Sequence, residues 1–143
     1  MYHRIFKTTG LGFVFRTAGA IPIAPAREDP ETLERAYESI AQALERGELV
    51  GIFPEGTLTP DGEIAPFRGG VTRILGRTPV PVVPMALSGL WDSLFARRAG
   101  RLKRARGRLF PRIRLSVGDT VAPAEAKPEA LHAAVSALRG DWR

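Results

Sequence analysis

With 143 residues and 44% hydrophobic content, the chain is long enough for one domain with its own core and too short for two. It has no cysteine, which excludes disulfides and thiolate metal sites and suits the cytoplasm. A net charge of +6 favours an anionic partner: a membrane surface, a phosphorylated substrate or nucleic acid.

No apolar run reaches the length of about 18 residues that a membrane-spanning helix needs. Arg4 and Lys7 ahead of an apolar stretch imitate a signal peptide, but that stretch is short and Arg16 interrupts it. Phe6, Leu11, Phe13, Val14 and Phe15 make residues 2–17 more apolar than a free terminus should be, so this segment is expected to contact a core, with a membrane interface as the alternative.

Residues 20–24 form a short apolar run expected as a strand, with Pro22 and Pro25 limiting its ladder. Asp29 and Pro30 then open the clearest helix. Asp29 can cap, Pro30 suits the first helical position, and Glu31 can pair with Arg35 one turn on. Leu33, Ala36, Tyr37, Ile40 and Leu44 share one face, and Gly47 ends the element. Residues 49–53 are apolar on both alternating faces, as in a strand covered by helices on either side. Strand, helix and strand together predict a right-handed βαβ unit. The fold class is therefore α/β, a mixed sheet with helices on both faces, built as a single domain over residues 1–143.

That second strand is stopped by Pro54 and delivers Phe53, Pro54, Glu55, Gly56 and Thr57 to the rim where open α/β sheets bind ligands. Gly56 can let backbone N–H groups approach a ligand, and Thr57 adds a hydroxyl. The turn signal Pro60-Asp61-Gly62 predicts that the chain doubles back and returns Phe67 and Arg68 toward Glu55, where Arg68 supplies positive charge. Gly69 and Gly70 open a short helix carrying Val71, Ile74 and Leu75, and a helix N-terminus attracts anions. The whole reads as a phosphate cradle. Turns of this composition are common, however, and most bind nothing.

Residues 80–87 are expected as a third strand, bulged or at an edge because Pro81 and Pro84 cannot donate to a ladder. Residues 94–112 hold eight basic side chains among Leu94, Phe95, Leu102, Leu109 and Phe110. This mixture suits anionic lipid, a nucleic-acid backbone or a solvated loop alike. Ile113, Leu115 and Val117 alternate with polar residues as a half-exposed final strand, and residues 128–139 form a closing helix ended by Gly140. His132 falls off the apolar face of that helix and is expected at the surface. No metal-ligand cluster is evident.

Gly19-Ala20-Ile21-Pro22-Ile23, Phe53-Pro54-Glu55-Gly56-Thr57 and Val80-Pro81-Val82-Val83-Pro84 resemble, in order, three of the four sequence blocks of the glycerolipid acyltransferase family of the lysophosphatidic-acid type. The middle block is specific; the other two are weak singly. The resemblance implies a glycerolipid acyltransferase-like fold. It also implies acyl transfer from acyl-CoA or acyl carrier protein to the hydroxyl of a lysophospholipid or glycerophosphate, in phospholipid biosynthesis, with no tightly bound cofactor. By the same resemblance Glu55, Gly56 and Thr57 shape the acceptor site, Arg68 neutralises the acceptor phosphate with Gly69 beside it, and Arg27 is a second candidate for that phosphate, although it lies farther along than the usual spacing. A surface arginine on a loop is the plain alternative for Arg27.

The family's first block, a histidine followed by four residues and an aspartate, is absent. Five positions beyond His3 and His132 stand Thr8 and Ala137. The chain is therefore expected to be a carboxyl-terminal part of the domain, lacking its N-terminal segment, with little or no transferase activity alone. The expected location is cytoplasmic, peripheral on the inner face of the membrane. A non-catalytic module that binds lysophospholipid or acyl-CoA is one alternative. A small basic nucleic-acid-binding protein is another, disfavoured by the lack of a recognisable motif.

Overall fold

Local signals fix the helix that follows Asp29. In the computed structural model of the protein, which describes residues 17, 19–57, 62–89 and 112–141, helix α1 spans Pro30–Glu45. Asp29 caps it as expected: Oδ1 accepts from the Thr32 N–H at 2.8 Å and Oδ2 from the Thr32 hydroxyl at 2.6 Å. Glu31 and Arg35 form the expected pair on the exposed face. Ala36, Ile40 and Ala43 are buried. The helix ends in a Schellman motif, with Glu48 N donating to Ala43 O and Gly47 N to Leu44 O, both at 3.0 Å. The expectations for residues 2–16 and 94–111 lie outside the described residues.

The chain divides into two compact units, Met1–Gly51 and Ile52–Arg143. In the first, the expected strand at 20–24 reduces to a single bridge at Ile23, followed by buried Ala24. Pro22 and Pro25 remove the donors that a longer ladder requires. A turn follows, in which Glu28 N and Asp29 N both donate to Pro25 O, at 2.9 and 3.1 Å.

The expected strand at 49–53 does not form. Leu49 is fully exposed at 102%, and Phe53 is 83% exposed. An apolar run becomes a buried strand only where a neighbouring strand satisfies its backbone groups. Among the described residues none pairs with 49–53, so the predicted βαβ unit is not made there.

In the second unit, helix α2 spans Gly70–Arg77, with Gly69 at its N-cap. Strand β1, Met85–Ser88, pairs antiparallel with β2, Arg114–Val117, in the register Met85 to Val117 and Leu87 to Leu115. Pro84 separates β1 from an isolated bridge between Val82 and Val121, so the strand expected at 80–87 is broken where the ladder loses a donor. Helix α3, Pro128–Arg139, packs against both strands.

Alternation along β1 buries Ala86 and Ser88 and exposes Met85 and Leu87; opposite these two, Val117 and Leu115 are exposed as well. The expected mixed sheet with helices on both faces is thus, among the described residues, an antiparallel pair with an open apolar face. The core of this unit is Val71, Ala126 and Leu131, with Phe67, Leu75, Val82 and Val121 packed around it. His132 is not a free surface residue: it is half-buried, its ring edge-on to Phe67 with centroids 5.1 Å apart.

Candidate functional site

The residues following Phe53 form a tight turn. Gly56 N donates to Phe53 O at 3.2 Å, and Gly56 takes φ +63°, which a residue with a Cβ adopts only at a cost. Residues 58–61 lie outside the described set, but the return of the chain is fixed on both sides of them. Ala65 N donates to Glu55 Oε2 at 2.7 Å, and Arg68 N donates to Pro54 O at 2.9 Å. Phe67 and Arg68 therefore do come back to Glu55, as the Pro60-Asp61-Gly62 turn suggests.

Phe67 and Arg68 divide the work of this return. The Phe67 ring belongs to the core, which pins the backbone, while the Arg68 side chain is exposed. It lies across Gly56: a Cβ built there would sit 3.2 Å from Arg68 Cδ, 3.3 Å from Nε and 3.5 Å from Cζ. Glycine thus suits position 56 by its backbone conformation, and a Cβ there would press on the Arg68 side chain, which would have to shift by a few tenths of an ångström. Among the described residues the Arg68 guanidinium has no hydrogen-bond or ion-pair partner, so its fork of donors is available to an anion.

The Gly56 N–H is used by the turn itself, and one oxygen of half-buried Glu55 accepts from the Ala65 N–H. Glu55 therefore acts first as a brace, holding the two limbs of the loop together. The donors left over are the Thr57 hydroxyl, which is exposed, the Arg68 guanidinium, and the first-turn N–H groups of α2, which no side chain caps. Phe53 and Gly69 are exposed at the two ends of the cluster. Arg27 belongs to the first unit, exposed in the turn after Pro25.

Sequence reasoning missed the contribution of α3. Arg139, in its last turn, reaches the returning limb: Nη1 donates to Gly62 O at 3.1 Å and Nη2 to Glu63 Oε2 at 2.8 Å. A basic residue at a helix C-terminus is ordinarily explained by the helix dipole, so no local signal marks this reach. Among the described residues, no group of three or more His, Asp or Glu could hold a metal ion.

A family model described as Acyltransferase matches residues 1–88. The chain is 34% identical over 85 residues to a chloroplastic 1-acyl-sn-glycerol-3-phosphate acyltransferase of Brassica napus and 32% identical over 85 residues to one of Arabidopsis thaliana. Each match covers 59% of this chain, and 24% and 23% of the relatives. It is 27% identical over 99 residues to a 1-acyl-sn-glycerol-3-phosphate acyltransferase of Bacillus subtilis, covering 69% of this chain and 47% of the relative. The chain thus spans about a quarter of the length of the two plant relatives. No solved structure matches it.

Proposed function

Because the chain belongs to the Acyltransferase family, we propose that its Glu55 and Arg68 cluster grips the phosphate of a lysophosphatidate or glycerophosphate acceptor. The observation that carries this reading is Arg68 itself: pinned through its backbone, laid across Gly56, and unpaired among the described residues. The guanidinium of an arginine so placed offers a planar pair of donors that matches two phosphate oxygens. Thr57 and the uncapped start of α2 add neutral donors at the same loop.

The reaction to which this grip belongs is acyl transfer from a thioester, on coenzyme A or acyl carrier protein, to the acceptor's free hydroxyl. The hydroxyl oxygen bonds to the acyl carbon, the carbon–sulfur bond breaks, and the hydroxyl proton ends on the departing thiol. A general base must take that proton in passing. His3 and His132 both lack an aspartate at the family spacing, so the chain as it stands holds the acceptor without transferring to it. Its net charge of +6 supports a peripheral location on anionic membrane at the cytoplasmic face, where each basic residue near the surface adds about 1 kcal/mol. Among the described residues no helix is long and apolar enough to cross a membrane.

Calorimetry with short-chain lysophosphatidate and with the matching monoacylglycerol, which lacks the phosphate, tests the grip. Binding of the phosphate ester alone is expected; equal binding of both, or of neither, overturns it. Acyl-CoA turnover by the 143-residue chain, abolished by Glu55→Ala, overturns the statement that it holds without transferring.

A further inference from the structure

We propose that Arg139 is a positioning residue for this site, setting the loop so that the Ala65 N–H reaches Glu55; the inference rests on the phosphate-grip reading above. The side chain is only 18% exposed, although it stands in the last turn of α3. A basic residue serving the helix alone would turn back onto the helix's own final carbonyls. Arg139 instead directs both terminal nitrogens at the loop, one to Gly62 O and one to the Glu63 carboxylate.

The consequence passes along a short path of bonds. Glu63 stands two residues before Ala65, whose N–H holds Glu55 Oε2 at 2.7 Å. Glu55 is followed by Gly56, across which Arg68 lies. A second hold on the same limb comes from the same helix, where His132 meets Phe67 edge-on and Leu131 shares its core. One helix thus clamps the returning limb at both ends, at Gly62 and Glu63 by charge and at Phe67 by packing. The packed end carries the fold. The charged end lies outside the core cluster, so losing it loosens the loop and leaves α3 in place.

Amide hydrogen exchange of the full chain, with and without lysophosphatidate, tests this in Arg139→Gln and, independently, in Glu63→Gln. Exchange at Ala65 is expected to quicken by about tenfold in each variant, the equivalent of one charge-assisted hydrogen bond, while Leu131 exchanges as before. The lysophosphatidate Kd is expected to rise several-fold in both, and the swap of Arg139→Glu with Glu63→Arg to recover most of the loss. Unchanged exchange at Ala65, or quickened exchange with an unchanged Kd, overturns the assignment. If Arg139→Gln also frees Leu131, Glu63→Gln decides. A wild-type chain that binds no lysophosphatidate sinks the phosphate grip instead, and the exchange at Ala65 still decides whether Arg139 sets the loop.

Discussion

Two turns in this chain each present an exposed arginine, and they are built differently. The turn holding Arg27 is closed by two bonds onto Pro25 O, and none of the described contacts fixes the arginine side chain. The loop holding Arg68 is stitched at Pro54 and at Glu55, backed by Phe67 in the core, and shaped by Gly56 to receive the arginine. If Arg68 grips phosphate as proposed, the difference teaches that a preorganised loop, not exposure, separates a binding arginine from a solvated one. An arginine whose backbone is already fixed loses less freedom on meeting its ligand.

The largest effect that tests this contrast is Arg68→Ala. It should weaken lysophosphatidate binding about 10- to 100-fold, the range of a charged hydrogen-bond partner lost, with helical content unchanged by circular dichroism. Gly56→Ala comes next: the φ of +63° and the contact with Arg68 both resist a Cβ. Denaturant unfolding should show a loss of about 1–2 kcal/mol, and the affinity should fall as Arg68 is pushed aside. Asp29→Ala removes the cap of α1 and should cost about 1 kcal/mol of stability while leaving affinity alone. Arg27→Ala should change either quantity by no more than about 0.5 kcal/mol. If Arg27→Ala weakens binding as much as Arg68→Ala, the contrast between the two turns is broken.

The helices were legible because their signals are local. Asp29, Pro30 and Gly47 bound α1, Gly69 opens α2, and Pro128 and Gly140 frame α3, each within a few residues of the turn it serves. The strands were less so, because a strand exists only through its partner. Residues 49–53 have the composition of a buried strand and stand mostly exposed with no strand partner among the described residues, whereas residues 114–117, whose alternation was readable as a half-exposed strand, do pair. In the candidate site, Glu55, Gly56 and Arg68 were readable as a group from the Pro60-Asp61-Gly62 turn between them. The further role of Glu55 as a brace and the reach of Arg139 were not, since Arg139 meets Glu63 across 76 residues of chain. Contacts so remote leave no periodicity to read.

Met85, Leu87, Leu115 and Val117 lie side by side on the uncovered face of the strand pair and should give the folded protein an unusual optical property. Dyes that fluoresce on apolar surfaces ordinarily stay dark with native proteins and brighten with expanded acid states. Here the order should reverse: the native chain offers a contiguous greasy shelf, and unfolding by urea scatters it. Emission should therefore be brightest in buffer and fade along the same transition that circular dichroism follows, a signature by which the shelf can be watched as the chain unfolds.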